Sequence, residues 1–234
     1  MTFFHEIYTN VVLNPSPRSF FILAGVAVLI YRIPVLDKVF RTFHTLIHES
    51  GHAFASLLTG GKTYRIELYP NMSGMTLTES RSGFHRFIVS ISGYPFASAF
   101  AWGGFLLILN NTPGIFHIIL ISVLVLQLLV NIRNTYGIVW ALITLALLLF
   151  QVVKMPQLMW ATAVVILTII LIESLIMSAH IFYLSLKKPK LAGDATNLSN
   201  MTGIPAVFWG LLFVSQALFF VILVARNVYA AFFH

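Results

Sequence analysis

Long apolar runs separated by short polar breaks set the pattern of this chain. A helix that crosses a bilayer needs about 20 mostly apolar residues. Runs of that kind cover residues 19–36, 87–109, 114–132, 135–152, 157–186 and 205–230. Residues 38–60 form a further helical segment of mixed polarity. No Asp, Glu, Lys or Arg lies between Arg86 and Arg133, and Asn110-Asn111-Thr112-Pro113-Gly114 divides that stretch with a turn signal. The pattern predicts an all-α membrane protein of about seven transmembrane helices, built as a single polytopic domain over residues 1–234. Pro95, in Gly93-Tyr94-Pro95, predicts a kink in the run 87–109, because proline removes a helix hydrogen bond; the alternative use of the step is to open room beside a metal site.

Two polar segments interrupt the runs. In residues 61–82, Tyr64, Ile66 and Leu68 alternate with Arg65, Glu67 and Tyr69. A Pro70-Asn71-Met72-Ser73-Gly74 turn follows, then Met75 and Leu77 against Thr76 and Thr78. Alternation of period two around such a turn predicts a β-hairpin. Residues 187–204 are basic at first, then small and polar.

Composition agrees with a lipid-facing surface. The chain is 59% hydrophobic and 9% charged, whereas an ordinary globular chain is about 25% charged. The absence of cysteine excludes disulfides and thiolate metal sites, so any metal must use His, Asp or Glu. The net charge of +7 is scattered among loops, which reads as an orientation signal and not as a nucleic-acid patch. With the N-terminus inside, the inner segments hold nine Lys and Arg and the outer segments five. That favours a cytoplasmic N-terminus. The first 18 residues lack a basic region, and no small-residue cleavage site follows the first apolar run, so no cleavable signal peptide is expected.

The mixed segment 38–60 carries the chemistry. His48 and His52 in His48-Glu49-Ser50-Gly51-His52 are four apart, hence on one face of a helix. Two imidazoles so placed can share a metal, and Glu49 stands beside them to take a proton from an activated water, the zincin arrangement. The alternative, two helix histidines satisfied by other hydrogen bonds, is weakened by their setting midway along a segment long enough to cross a bilayer. Small Ser50 and Gly51 allow close helix approach. His44, one turn earlier, shares the face. Three histidines at successive fourth positions drift around a helix, so His44 reads as a supporting or pore-lining residue.

A hydrolytic zinc needs a third protein ligand and an open position. Beyond residue 87 the acidic residues are Glu173 and Asp194. Asp194, before Ala195-Thr196-Asn197, has an ordinary use as a helix N-cap. Glu173 lies within an apolar run, seven residues before His180, and reads as a buried carboxyl bonded to a neighbour. His117 and the tryptophans Trp102, Trp140, Trp160 and Trp209 read as packing or interfacial residues.

Several pieces resemble, in order, the site-2 protease family of intramembrane zinc metallopeptidases, in its compact bacterial branch without PDZ or CBS domains. They are His48-Glu49-Ser50-Gly51-His52-Ala53, Thr59-Gly60-Gly61-Lys62, Ser73-Gly74-Met75-Thr76, Gly93-Tyr94-Pro95 and Gly193-Asp194-Ala195. They place a metallopeptidase core at 38–205, with the hairpin at 61–82. The resemblance implies a Zn2+ held by His48, His52 and Asp194, with Glu49 as catalytic base. It implies a transmembrane protein substrate, cut within the lipid bilayer of a bacterial cell membrane and held as a strand added to the hairpin. Better-known members carry Asn-Pro ahead of Asp-Gly near the third ligand, and Asp194-Ala195 departs from that. Asn134 and Asn197 are therefore both candidates for substrate binding, with loop capping as the alternative use of each. Two other functions use the same residues: a membrane transporter or metal carrier, whose path would add Glu173 and His180, and a non-cleaving relative that only binds membrane segments. No internal repeat supports the first, and an intact Glu49 argues against the second.

Overall fold

The computed structural model describes residues 15–79 and 82–233. Most of the segment on which the signal-peptide expectation rests, and positions 80–81 of the hairpin segment, lie outside them. In chain order the elements are α1 (Pro17–Ile30), α2 (Pro34–Leu58), β1 (Thr63–Leu68), β2 (Gly74–Thr78), α3 (Gly83–Leu109), α4 (Pro113–Val130), α5 (Thr135–Lys154), α6 (Met159–Lys187), α7 (Gly193–Thr202) and α8 (Ala206–Phe233). Among the described residues, five helices are long and apolar enough to cross a bilayer: α3, α4, α5, α6 with the turn before it, and α8. The chain has the all-α architecture of a multi-pass membrane protein with one small antiparallel sheet.

The expected first span divides differently. α1 has 14 residues, about 21 Å of helix against a hydrocarbon core of about 30 Å. It meets α2 at a 110° bend, and the two together count as one further candidate span. Pro34, near the end of the apolar run 19–36, occupies the first turn of α2. There its missing N–H leaves nothing unsatisfied. α3 runs unbroken through Pro95.

Helix α6 is the centre of the bundle, packed against α1, α2, α3 and α8. Ala163, Val164, Leu167, Ile169 and Ile170 are fully buried along it. α2 lies against α3 and α6, and nearly all of its residues 42–56 are buried. An added Cβ at Gly51 would fall 2.7 Å from Phe96 Cβ, so glycine sets the close approach of α2 to α3.

A buried ion pair ties the bend to the bundle. Arg41 Nη2 lies 2.7 Å from Glu173 Oε1. The Tyr31 hydroxyl donates to Glu173 Oε2 at 3.1 Å. Glu173 is thus committed to Arg41 and Tyr31, and His180 is exposed. Removing Glu173 leaves the part-buried Arg41 with the longer Asp37 contact, at 3.4 Å, as its remaining ion pair among the described residues. We expect Glu173→Ala to lower stability by about 2–3 kcal/mol, because Arg41 keeps some exposure. The thermal midpoint in detergent measures it, and an unchanged midpoint would show the pair to be idle.

The hairpin forms as predicted, and its two strands turn different kinds of residue inward. Ile66 pairs with Thr76 and Leu68 with Gly74, and both Ile66 and Leu68 are fully buried. Met75 and Leu77 pair with Glu67 and Arg65 and are exposed. β2 therefore turns its small and polar residues toward α2. The other edge of β1 is occupied as well. The Ile66 N–H donates to the Asn131 carbonyl at 2.8 Å, and the Arg133 N–H to the Ile66 carbonyl at 3.2 Å. Among the described residues, the outer edge of β2 has no strand partner.

Candidate metal centre

Helical spacing puts His48 and His52 side by side with their Nε2 atoms 3.1 Å apart. Asp194 arrives from α7. Its Oδ2 lies 3.5 Å from His48 Nε2 and 3.3 Å from His52 Nε2. Donors on a tetrahedral zinc, at bond lengths of about 2.0–2.2 Å, are about 3.3–3.6 Å from one another. The three atoms stand close to that spacing, so the residues fit such an ion. The donor set of two imidazoles and one carboxylate leaves a fourth position open.

Local folding explains how Asp194 gets there. Gly193 has φ +50°, in the left-handed region where glycine is favoured. The turn is closed by Thr196, whose hydroxyl accepts from the Ala192 N–H at 3.0 Å and donates to the Pro189 carbonyl at 2.6 Å. Asp194 sits in the first turn of α7 but aims at the imidazoles, and its side chain makes no N-cap bond. Burial works to raise its pKa. When protonated, the His52 and His48 imidazoles outweigh that and hold the carboxyl below its usual range.

The neighbours orient the histidines. His52 Nδ1–H donates to the Val89 carbonyl of α3 at 2.7 Å, which leaves Nε2 as the lone-pair nitrogen. The Tyr94 ring meets His48 edge-on with centroids 4.5 Å apart. Gly93 passes beside both rings, and an added Cβ there would lie 2.5 Å from His48 Cε1 and 2.7 Å from His52 Nε2. Gly93 thus makes room beside the centre.

Glu49 is 5% exposed and is pinned by the hairpin. The Thr76 hydroxyl donates to Glu49 Oε2 at 2.5 Å. An added Cβ at Gly74 would fall 2.5 Å from Glu49 Oε1. The Thr45 hydroxyl donates to the Met72 carbonyl at 2.8 Å and fixes the turn on α2. Thr76, Gly74 and Val89 escape any reading from α2 alone. The small, polar inward positions of β2 are the trace that Gly74 and Thr76 leave in the sequence.

One cavity of about 520 Å³ joins these groups. His44, His48, Glu49, His52, Asp194 and Asn197 all line it, opposite β2. Asn134 does not. Its amide pairs with the backbone of Leu68, accepting from the N–H at 3.1 Å and donating to the carbonyl. Among the described residues, His48, His52 and Asp194 form the cluster able to share a metal, and His44 is outside it.

No curated protein and no solved structure matches the chain. The family model described as Peptidase M50B-like matches residues 21–224, most of the sequence and every element that builds this centre. With that match and the geometry above, the chain belongs to the Peptidase M50B-like family, a site-2 protease family.

Proposed function

We propose that this protein is an intramembrane zinc metalloendopeptidase that cuts transmembrane segments of other membrane proteins. The observation that carries the reading is a cavity, walled by span helices, in which a buried carboxylate stands beside three donors at tetrahedral spacing. His48, His52 and Asp194 would hold the zinc, which when bound supplies Lewis-acid activation of a water and of the scissile carbonyl. Glu49 takes the proton of the attacking water and delivers it to the leaving amine. The Thr76 hydroxyl holds the Glu49 carboxylate in place for both transfers.

A transmembrane helix hides its backbone, so substrate must unwind before it is cut. Freed N–H and C=O groups in a membrane need partners. The unpaired outer edge of β2 supplies them, because residues 74–76 and Thr78 also line the cavity. Asn197 lies where it can contact the same chain. We place the protein in a bacterial cell membrane with the hairpin and α7 on the cytoplasmic side, and no nucleic-acid partner. Glu173, paired with Arg41, is not available for a transport path.

Metal removal tests the reading. Protein stripped with a chelator is expected to lose cleavage of a panel of transmembrane peptides in detergent or proteoliposomes, and stoichiometric zinc to restore it. Undiminished cleavage by metal-free protein would exclude a metallopeptidase. Metal uptake into vesicles without cleavage would favour a carrier.

A further inference from the structure

His44 lies on the metal-bearing face of α2, one turn before His48, and is 4% exposed. It lines the cavity. Its ring stacks on that of His48, with centroids 6.0 Å apart and planes at 29°. It is not one of the three clustered donors, and its buried Nε2 has no hydrogen-bond partner among the described residues. A buried polar atom left without a partner is costly and calls for a cause. A ligand that completes it on binding is such a cause.

The direction of the hairpin identifies that ligand. The Met72 carbonyl is held by Thr45, and Thr76 is held at Glu49. β2 therefore advances along α2 in the same direction. A strand laid on the free edge of β2 follows the same line. One helical turn from His48 to His44 is about 6 Å, close to two residues of extended chain at about 3.3 Å each. Carbonyls two residues apart on a strand point the same way. When the scissile carbonyl faces the His48 level, the carbonyl two residues along faces His44.

We propose that the His44 imidazole donates a hydrogen bond to the substrate backbone carbonyl two residues from the scissile bond, on the side of the hairpin turn. This rests on the protease reading above. It assigns to His44 a grip on the main chain, independent of substrate side chains and separate from the metal. Such a contact persists from bound substrate to transition state, so its loss weakens binding and leaves turnover largely intact.

The test measures affinity for one transmembrane peptide in the Glu49→Gln background, and kcat and KM with Glu49 intact. His44→Phe keeps the ring and its stacking but cannot donate. It is expected to weaken binding and raise KM by roughly tenfold, with kcat within about twofold and one zinc per chain. His44→Gln restores a donor and is expected to recover affinity to within about threefold. Unchanged affinity in His44→Phe overturns the proposal. So does loss of zinc or a fall in kcat alone, since either marks His44 as a support for His48. A wild type that cuts no peptide would instead defeat the protease reading, and the affinity measurement still decides His44.

Discussion

Glu49→Gln is expected to retain zinc and to lose cleavage by a factor on the order of 10³, within the range by which a positioned general base accelerates such a reaction. The substitution isolates one function. Glutamine has nearly the same shape, and its amide oxygen still accepts the Thr76 hydroxyl that now holds Glu49 Oε2. The hairpin contact therefore survives, and so does the packing of Gly74 against this side chain. What disappears is a group able to accept a proton from water and pass it on. Zinc per chain and cleavage of one transmembrane peptide, measured on the same preparation, check the prediction. Cleavage at the parental rate would remove Glu49 from the chemistry.

The second large effect belongs to a residue without a side chain. Gly93→Ala is expected to lower zinc affinity at least about a hundredfold, and cleavage with it, while the helix content of the protein holds. The added methyl would lie 2.5–2.7 Å from carbons of both imidazoles and from His52 Nε2 itself. Contacts that close force the rings apart, and a tetrahedral site tolerates errors of only about 0.2 Å in its ligand distances. Gly103, on the same helix, has nothing within 4 Å of an added Cβ. Gly103→Ala is the matched control and is expected to bind zinc normally. Competition with a chelating dye measures both. Normal affinity in Gly93→Ala would mean that α3 shifts away from α2 at little cost.

These two residues also mark what could be read along the chain and what could not. Hydropathy made α3, α4, α5, α6 and α8 legible, since length and apolarity alone qualify a span. Their ends were less so. α3 begins at Gly83, four residues before its apolar run, because Ser82 Oγ accepts the His85 N–H and starts the helix in polar sequence. Spacing four apart made His48 and His52 legible. Asp194 is 142 positions from His52. Only the order of motifs in a related family pointed to it. Thr76, Val89 and Gly93 take their meaning from contacts between elements, which no periodicity encodes. Alternation found the strands and the inner residues of β1, Ile66 and Leu68, but not the inner face of β2. Met75 and Leu77 lie outward because the side against Glu49 has room only for Gly74 and the Thr76 hydroxyl. Asn134, a candidate because Asp194-Ala195 departs from the family's motif, instead spends its amide on the backbone of Leu68 in β1.

The late position of Asp194 has a consequence for how the protein is made. Synthesis runs from the N-terminus, so both imidazoles and Glu49 enter the membrane early, with the hairpin close behind. Their carboxylate partner rides on α7, which rests on α3 and α8. The centre cannot assemble until residue 194 has left the ribosome and α8 has been inserted beside α6. A half-made chain in the membrane thus lacks the third donor of the centre.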